Sequence, residues 1–401
     1  MKEEAITKGH EFYFDPEVAK FVIEFFSSYL KHSKGRFAGK PFRPLDWQAE
    51  LLATMFGWLR VDNNKRRFRQ CYISTAKKNG KSTLLSGIAI YLTIADQEMG
   101  SEVYSVATDV SQASIVFREC QLMIQASPEL SRRLEINASR RNISDMATSS
   151  FYRVLPGTDF RVEGINSHAI LFDELHAQRD RRLFDSLKYS GSSRDQSISI
   201  YTTTAGFNKQ SICYETYSYA KQVMRDPSFD NTFLPYVCEP ANEEDWKTED
   251  AWKAANPSWG ETVMGDVFET DFKEAESSNI KQNSFRRYRV NQWVAQSERW
   301  LNMDQWDKCN LPPTESLEGR ECWMGLDLAS TYDTSAAVLV FPDEDGCYDV
   351  LCKFWIPAEN AEQREIRDRI PYTTWLKDKS TGLTSTPGNV TDYDFIRRDI
   401  N

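Results

Sequence analysis

Gly80, Lys81 and Ser82 close the stretch STAKKNGKST (74–83), and a glycine–lysine–hydroxyl triplet is suited to gripping a phosphate chain. The glycine admits close backbone approach, the lysine neutralises the terminal phosphates and the hydroxyl helps hold a magnesium ion. The general pattern, G-x-x-x-x-G-K-[ST], opens on a glycine, and here Thr75 stands in its place. Lys77 and Lys78 add charge at the front of the loop, and Thr75, Asn79 and Thr83 complete the candidate nucleotide contacts. Asp173 and Glu174 end the apolar run in HAILFDELHA (168–177). One carboxylate there would bind Mg²⁺ and the next would polarise an attacking water. A strand ending in an acidic helix cap would give the same dipeptide, but its pairing with Gly80-Lys81-Ser82 in one chain favours hydrolysis. Thr203 and Thr204, near the tip of QSISIYTTTAGF (196–207), are placed to sense a γ-phosphate, although β-propensity alone also puts threonines there. Asp327 lies among apolar neighbours in CWMGLDLA (322–329), where an unpaired carboxylate is costly to bury; it reads as a metal ligand before it reads as a lysine partner.

These residues need a scaffold, and the hydrophobic pattern supplies one. Asp15-Pro16 starts an amphipathic helix in DPEVAKFVIEFFSSYLKHS, and a second helix begins near Asp46. FRQCYIS (68–74) is a short buried strand that runs into the lysine-rich loop, and STLLSGIAIYLTIA (82–95) is an apolar helix. Strand, loop, helix is the context that turns backbone amides and a helix N-terminus toward an anion. From residue 69 to about 230 strands alternate with helices, which predicts one α/β nucleotide-binding domain with a mainly parallel sheet. Residues from about 235 to 315 read as a helical linker ending in the loop at Pro312-Pro313. Three strand-like runs follow, joined by short turns as an antiparallel meander.

Composition bounds the rest. The chain has 401 residues, 40% apolar and 13% aromatic, so it is globular rather than disordered. Its start has no apolar signal region and no run is long enough to span a bilayer, which predicts a soluble, unexported protein. The eight cysteines include no CxxC pair and the four histidines lie far from them, arguing against zinc and for reduced thiols. A net charge of -10 argues against coating nucleic acid by bulk charge. Basic islands at 63–70, 131–142, 178–183 and 284–292 are either solvated faces or a means of gripping a phosphate backbone transiently.

The ordered set WQ (47–48), AKKNGKS (76–82), ATDVSQA (107–113), LFDELHA (171–177) and TTTAG (202–206) resembles the large terminase subunit of tailed bacteriophages. The likeness continues through ANPSWG (255–260), RYRVNQWV (287–294) and WMGLDLASTYDTSAAVLVF (323–341), so it covers nearly the whole chain. Within that family a loop lacking the first glycine and carrying basic residues ahead of the lysine is ordinary. The resemblance implies that Trp47 and Gln48 form the adenine-side motif and that Thr203 and Thr204 couple hydrolysis to movement. It also implies an arginine supplied by a neighbouring subunit of a ring; Arg161 is the closest match, Arg194 competes, and either could instead make an ion pair or a DNA contact.

For the C-terminal region the resemblance implies an RNase H-like nuclease domain with Asp327 as its first metal-binding acid, using Mg²⁺ or Mn²⁺. The remaining acids would follow a fourth strand and sit in a final helix, beyond the end of this sequence; Asp333 is a weak substitute. The expected architecture is therefore an α/β P-loop ATPase domain with a helical N-terminal segment (1–60) and a core (61–235). A linker (236–315) and a nuclease domain incomplete at its C-terminus (316–401) complete it. The implied function is an ATP-driven motor that moves viral double-stranded DNA into a procapsid and cuts the concatemer. Its implied partners are the portal protein, the procapsid and the small terminase subunit. It would work as a homo-oligomeric ring in the host bacterial cytoplasm, transiently at the procapsid portal, with no membrane. The alternatives are a DNA-dependent P-loop ATPase or helicase unconnected with packaging, or a nuclease-dead remnant.

Overall fold

A short α1 (Lys2–Thr7) and β1 (Phe12–Phe14) precede α2 (Pro16–Tyr29). Asp15 opens α2 as the sequence predicts: its carboxylate accepts from the amides of Glu17 and Val18, and Pro16 takes a position that needs no amide. The apolar face of α2 packs on α3 (Asp46–Gly57) and α4 (Lys81–Ile94). A Cβ at Gly87 of α4 would lie 2.3 Å from the Phe26 ring, so only glycine lets these two helices meet. β2 (Trp58–Arg60) pairs antiparallel with β1.

The computed structural model describes residues 1–107, 110–156, 164–178, 181–294, 306, 308–309, 316–329, 333–343, 346–368 and 370–400, and divides into two units, Met1–Asn302 and Met303–Asn401. The first unit is built on an eight-stranded sheet. Its strands are β3 (Gln70–Ser74), β4 (Glu102–Ala107), β5 (Leu134–Asn137), β6 (Asn142–Asp145), β7 (Ser150–Pro156), β8 (Ala169–Phe172), β9 (Ile198–Thr203) and β10 (Phe233–Val237), in the order β10-β3-β9-β8-β4-β7-β6-β5. From β10 to β7 every pairing is parallel, and only β6 and β5 run antiparallel at the far edge. The mainly parallel sheet is thus as expected.

Strand periodicity sorts the core. Cys71, Ile73, Leu171 and Ile200 face α2 to α4 together with α5 (Val110–Gln125) and α6 (Pro128–Arg133). Tyr72, Phe172 and Tyr201 face the other way, onto α7 (Arg181–Lys188) and α8 (Ile212–Arg225). A third cluster lies in α9 (Glu249–Ala255), α10 (Gly265–Ser277) and α11 (Asn279–Tyr288), where Trp252, Phe268, Phe285 and Val290 pack with Trp246 and with Ala76. The residues read as a linker therefore build a helical layer against the loop that follows β3.

The second unit has a four-stranded sheet, β11 (Trp323–Asp327), β12 (Ser335–Pro342), β13 (Tyr348–Pro357) and β14 (Leu383–Thr386), in that order. The first three form the expected antiparallel meander. β14 pairs parallel to β13 after α12 (Ala361–Asp368) and α13 (Tyr372–Trp375), and α14 (Tyr393–Ile400) follows. This corrects the expectation that the fourth strand lies beyond the sequence. The polar run LTST between Gly382 and Pro387 has none of the apolar alternation that marks a strand, and parallel pairing with β13 makes it one. Trp355, Ala337 and Ile396 form one small core; Ile356, Tyr372 and Leu383 form another. Among the described residues no helix is long and apolar enough to cross a membrane.

Candidate active site

In a parallel sheet the chain leaves every strand at the same end, and ligands bind where those ends converge. β3 runs into residues 75–80, β8 into Asp173 and β9 into Thr204, with β9 lying between the other two. Gly80 has φ +83, and a Cβ there would also press on the Gln48 amide at 3.3 Å. The sequence placed a glycine at this point for the same reason.

Lys81 starts α4 and is buried, with its ammonium turned back into the loop. It donates to the carbonyls of Thr75 (2.8 Å) and Ala76 (2.9 Å), and lies 3.2 Å from the hydroxyls of Thr75 and Thr204. Burial pulls its pKa down to about 8, against the nearby Glu174 and Asp173, which hold it up. Thr75 occupies the position of the missing glycine, and there it supplies two of the lysine's acceptors. Ser82 donates to Asp173 at 2.9 Å and Thr202 donates to the other oxygen of Asp173 at 2.7 Å.

The two carboxylates are driven apart. Burial, then the neighbouring Glu174, push Asp173 above its ordinary pKa despite the Ser82 and Thr202 hydrogen bonds. Burial acts the same way on Glu174, but His176, Lys81 and Lys77 outweigh it and hold that group below its ordinary value. His176 Nδ1 lies 3.2 Å from Glu174 Oε2, within ion-pair range but without hydrogen-bond alignment. Glu174 also has φ +54, an uncommon backbone for a non-glycine residue and one that sets the direction of its side chain. Thr203 accepts from the His176 amide at 3.1 Å, and its carbonyl accepts from the Thr75 amide. Thr203 thus touches both the loop and the acidic strand end.

The front of the loop is fixed by the helical layer. The Ala76 amide donates to Ala255 and the Lys77 amide to Tyr288, whose ring also lies 3.6 Å under the Lys77 ammonium. Asn79 Nδ2 donates to Asn256 Oδ1 and to the Ala76 carbonyl, and Asn79 Oδ1 accepts from the Ser258 amide. Its side chain therefore holds the loop's shape rather than facing outward as a nucleotide contact. The exposed Lys78 accepts from Thr262 through its carbonyl. Asn291 ties three strand ends together, accepting from the Ala205 amide and donating to Ser74 Oγ and the Cys238 carbonyl. Asn256, Ser258, Asn291, Thr202 and His176 were not singled out from the sequence. The only signal for the first three is that they fall within ANPSWG and RYRVNQWV.

Other expected residues are placed differently. Gln48 accepts from the Leu45 amide and backs onto Gly80. Trp47 is a packing residue, with its indole N–H donating to Ser258 and its ring stacked on Tyr236. Arg161 lies outside the described residues. Arg194 sits at the opposite end of the strands, bound to Glu98 at 2.8 Å and to the Gly100 and Asn166 carbonyls. Two basic islands turn inward: Arg66 pairs with Asp96 in the core, Arg67 packs on Phe12, Trp58 and Phe68, and Arg286 and Arg287 are buried. Asp327 is exposed, as is all of β11 at the sheet edge, so the cost of burying its charge does not arise. Asp333 accepts from the Thr334 amide. Among the described residues no group of three ligand-type side chains could hold a metal ion.

Residues 46–222 match the family model "Terminase large subunit, ATPase domain", and residues 228–400 match "Terminase large subunit, endonuclease domain". The chain is 25% identical over 382 residues to the terminase large subunit of Enterobacteria phage HK97, covering 94% of this chain and 73% of that one. It is 22% identical over 333 residues to the terminase large subunit of Lactococcus phage p2, covering 80% of this chain and 60% of that one. The crystal structure of the HK97 bacteriophage large terminase superposes with a TM-score of 0.60 at 24% identity, over 95% of this chain and 76% of that one, a likeness of fold. The loop, the acidic strand end and the threonine strand thus lie inside one matched domain and Asp327 inside the other, and the chain belongs to the terminase large subunit family, with an ATPase domain followed by an endonuclease domain.

Proposed function

We propose that the first unit binds ATP with Mg²⁺ on residues 75–83 and uses its hydrolysis to drive viral double-stranded DNA into a procapsid. In this reading Lys81 leaves the Thr75 and Ala76 carbonyls and takes the β- and γ-phosphates. Ser82 and Asp173 would hold Mg²⁺, which supplies charge neutralisation at the terminal phosphates when bound. Glu174, held anionic by His176, Lys81 and Lys77, orients and polarises the attacking water. Thr203 and Thr204 carry the change in phosphate occupancy to the strand between the loop and the acidic pair. A trans-acting arginine remains assigned to Arg161, because Arg194 is engaged at the far end of the sheet.

The partners in this reading are the portal protein, the small terminase subunit and further copies of this chain in a ring, in the host bacterial cytoplasm. Asp327 would be the first acid of the endonuclease, binding Mg²⁺ or Mn²⁺. The domain limits that follow are an ATPase core to about residue 235, a helical layer to about 294 and a nuclease domain from about 316.

One observation carries the motor reading: Lys81, Ser82, Asp173 and Thr204 are joined by direct hydrogen bonds at one end of one parallel sheet. The test is Lys81→Ala, which should abolish ATP binding or reduce turnover by at least about a hundredfold. Normal hydrolysis by that variant would overturn the assignment.

A further inference from the structure

Beside the first turn of α4 lies a cavity of about 160 Å³ that the phosphate-loop chemistry does not use. Its walls include Ser82 and Thr83 from α4, Ile115 and Glu119 from α5, and the segment around Ser33 and Lys34. That segment bridges two parts of the first unit. Ser33 and Lys34 reach α5, where Ser33 Oγ donates to Glu119 Oε1 and Lys34 Nζ donates to Glu119 Oε2 at 3.0 Å. Arg36 reaches the other way, pairing with Glu261 at 3.7 Å. The loop 33–36 thus walls the mouth of the site over the α4 N-terminus.

The chemistry of this cavity is uneven in an informative way. Ile115 and Glu119 are one helical turn apart, so an exposed aliphatic side chain and a carboxylate face the same space. Glu119 is nearly buried, at 7% exposure, yet it borders the cavity, and each of its oxygens retains a lone pair beyond the bonds to Ser33 and Lys34. Hydroxyl donors on a compact, partly apolar ring match that pair of surfaces. The group covalently next to the α-phosphate of a nucleotide is such a ring. Trp47, whose indole is occupied by Ser258 and Tyr236, offers no competing free face.

We propose that this cavity is the ribose subsite, with Glu119 accepting hydrogen bonds from the 2′- and 3′-hydroxyls of a ribonucleoside triphosphate and Ile115 covering the sugar's apolar edge. The proposal rests on the assignment of residues 75–83 as the phosphate site. It makes Glu119 the residue that selects ribonucleotides over deoxyribonucleotides, in a protein whose other substrate is a deoxyribose polymer.

The experiment is equilibrium calorimetry on the full chain with ATP, 2′-deoxy-ATP, 3′-deoxy-ATP and inorganic tripolyphosphate. The wild type should prefer ATP to each deoxy analogue by about tenfold, the size expected of one hydrogen bond to a charged acceptor. Glu119→Ala should lose that preference while binding tripolyphosphate as the wild type does, and Glu119→Gln should fall between them. A change of fold would instead weaken all four ligands together. Equal affinity of the wild type for ATP and both deoxy analogues would overturn the proposal without any variant, and so would an unchanged preference in Glu119→Ala. If Lys81→Ala bound all four normally, the phosphate-site reading would fail first, and this inference with it.

Discussion

Asp173 and Glu174 are adjacent in the chain and opposite in their electrostatics, and that difference separates their roles. Asp173 is enclosed by Ser82 and Thr202, both donating to it, in a place where only a cation would favour its charge. Glu174 is held anionic and next to His176, as a group that must pull on a water's proton requires. Glu174→Gln should therefore keep ATP affinity within about twofold and lower turnover by about 10²–10⁴, whereas Asp173→Asn should lose Mg²⁺-dependent binding. Nucleotide titration with and without Mg²⁺ separates the two; equal loss of affinity in both variants would mean the roles are reversed. At this scale the sequence was readable where chemistry dictates residue type at neighbouring positions, as in Gly80-Lys81-Ser82 and Asp173-Glu174. It was silent on Asn79 and Asn256, partners 177 residues apart whose meeting depends on how the helical layer packs. It misled at Asp327, because apolar neighbours imply burial only when something covers the strand, and β11 is an edge with both faces open.

At the scale of elements, the end of the sheet remote from the site has a polar core of its own. Arg66 bonds both oxygens of Asp96 at 3.0 Å, and His168 Nε2 lies 2.7 Å from the same carboxylate, all of them buried. The group joins the residue after β3's entry loop, the end of α4 and the start of β8, so it locks helix and strands at the end opposite the phosphates. Asp96→Ala would strand a buried guanidinium and should lower the unfolding free energy by about 3–5 kcal/mol. Burial raises the Asp96 pKa, but Arg66 and His168 outweigh it and keep the folded-state value below the unfolded one near 3.8. Its contribution is then complete above about that pH and is lost as the pH falls through the folded-state pKa. Acid titration of unfolding should show a stability loss in that window in the wild type and a smaller one in Asp96→Ala; identical curves would refute the linkage. The helices and strands framing this network were legible from periodicity and from Asp15-Pro16. The strand order was not, because parallel pairing of β3 with β9 and β10 is set by crossovers that leave no local pattern.

On the scale of the whole molecule, the two units differ in how completely they bury what they carry. In the first, the catalytic candidates are joined side chain to side chain; in the second, Asp327 stands on an exposed edge, and the described residues form no three-ligand group. In-line phosphodiester cleavage by two metals needs convergent ligands that hold the ions ~3.5–4 Å apart. The 401-residue chain should therefore leave supercoiled plasmid intact in Mn²⁺ while it binds ATP. Nicking by this chain that disappears in Asp327→Ala would show that the second unit assembles its acids after all.

The bonds from Ala76 to Ala255 and from Lys77 to Tyr288 give the phosphate loop an abutment. Its front is spliced into the helical layer, while its Gly80 end carries the left-handed turn that opens α4. A nucleotide entering at the Gly80 end therefore pushes on a strut whose other end is anchored in a separate packing layer. Amide hydrogen exchange at Ala76 and Lys77 consequently gauges whether that layer is docked, not whether phosphate is present. The loop is thus at once a binding element and a joint, and the chemical event and the mechanical one meet within a few peptide units of each other.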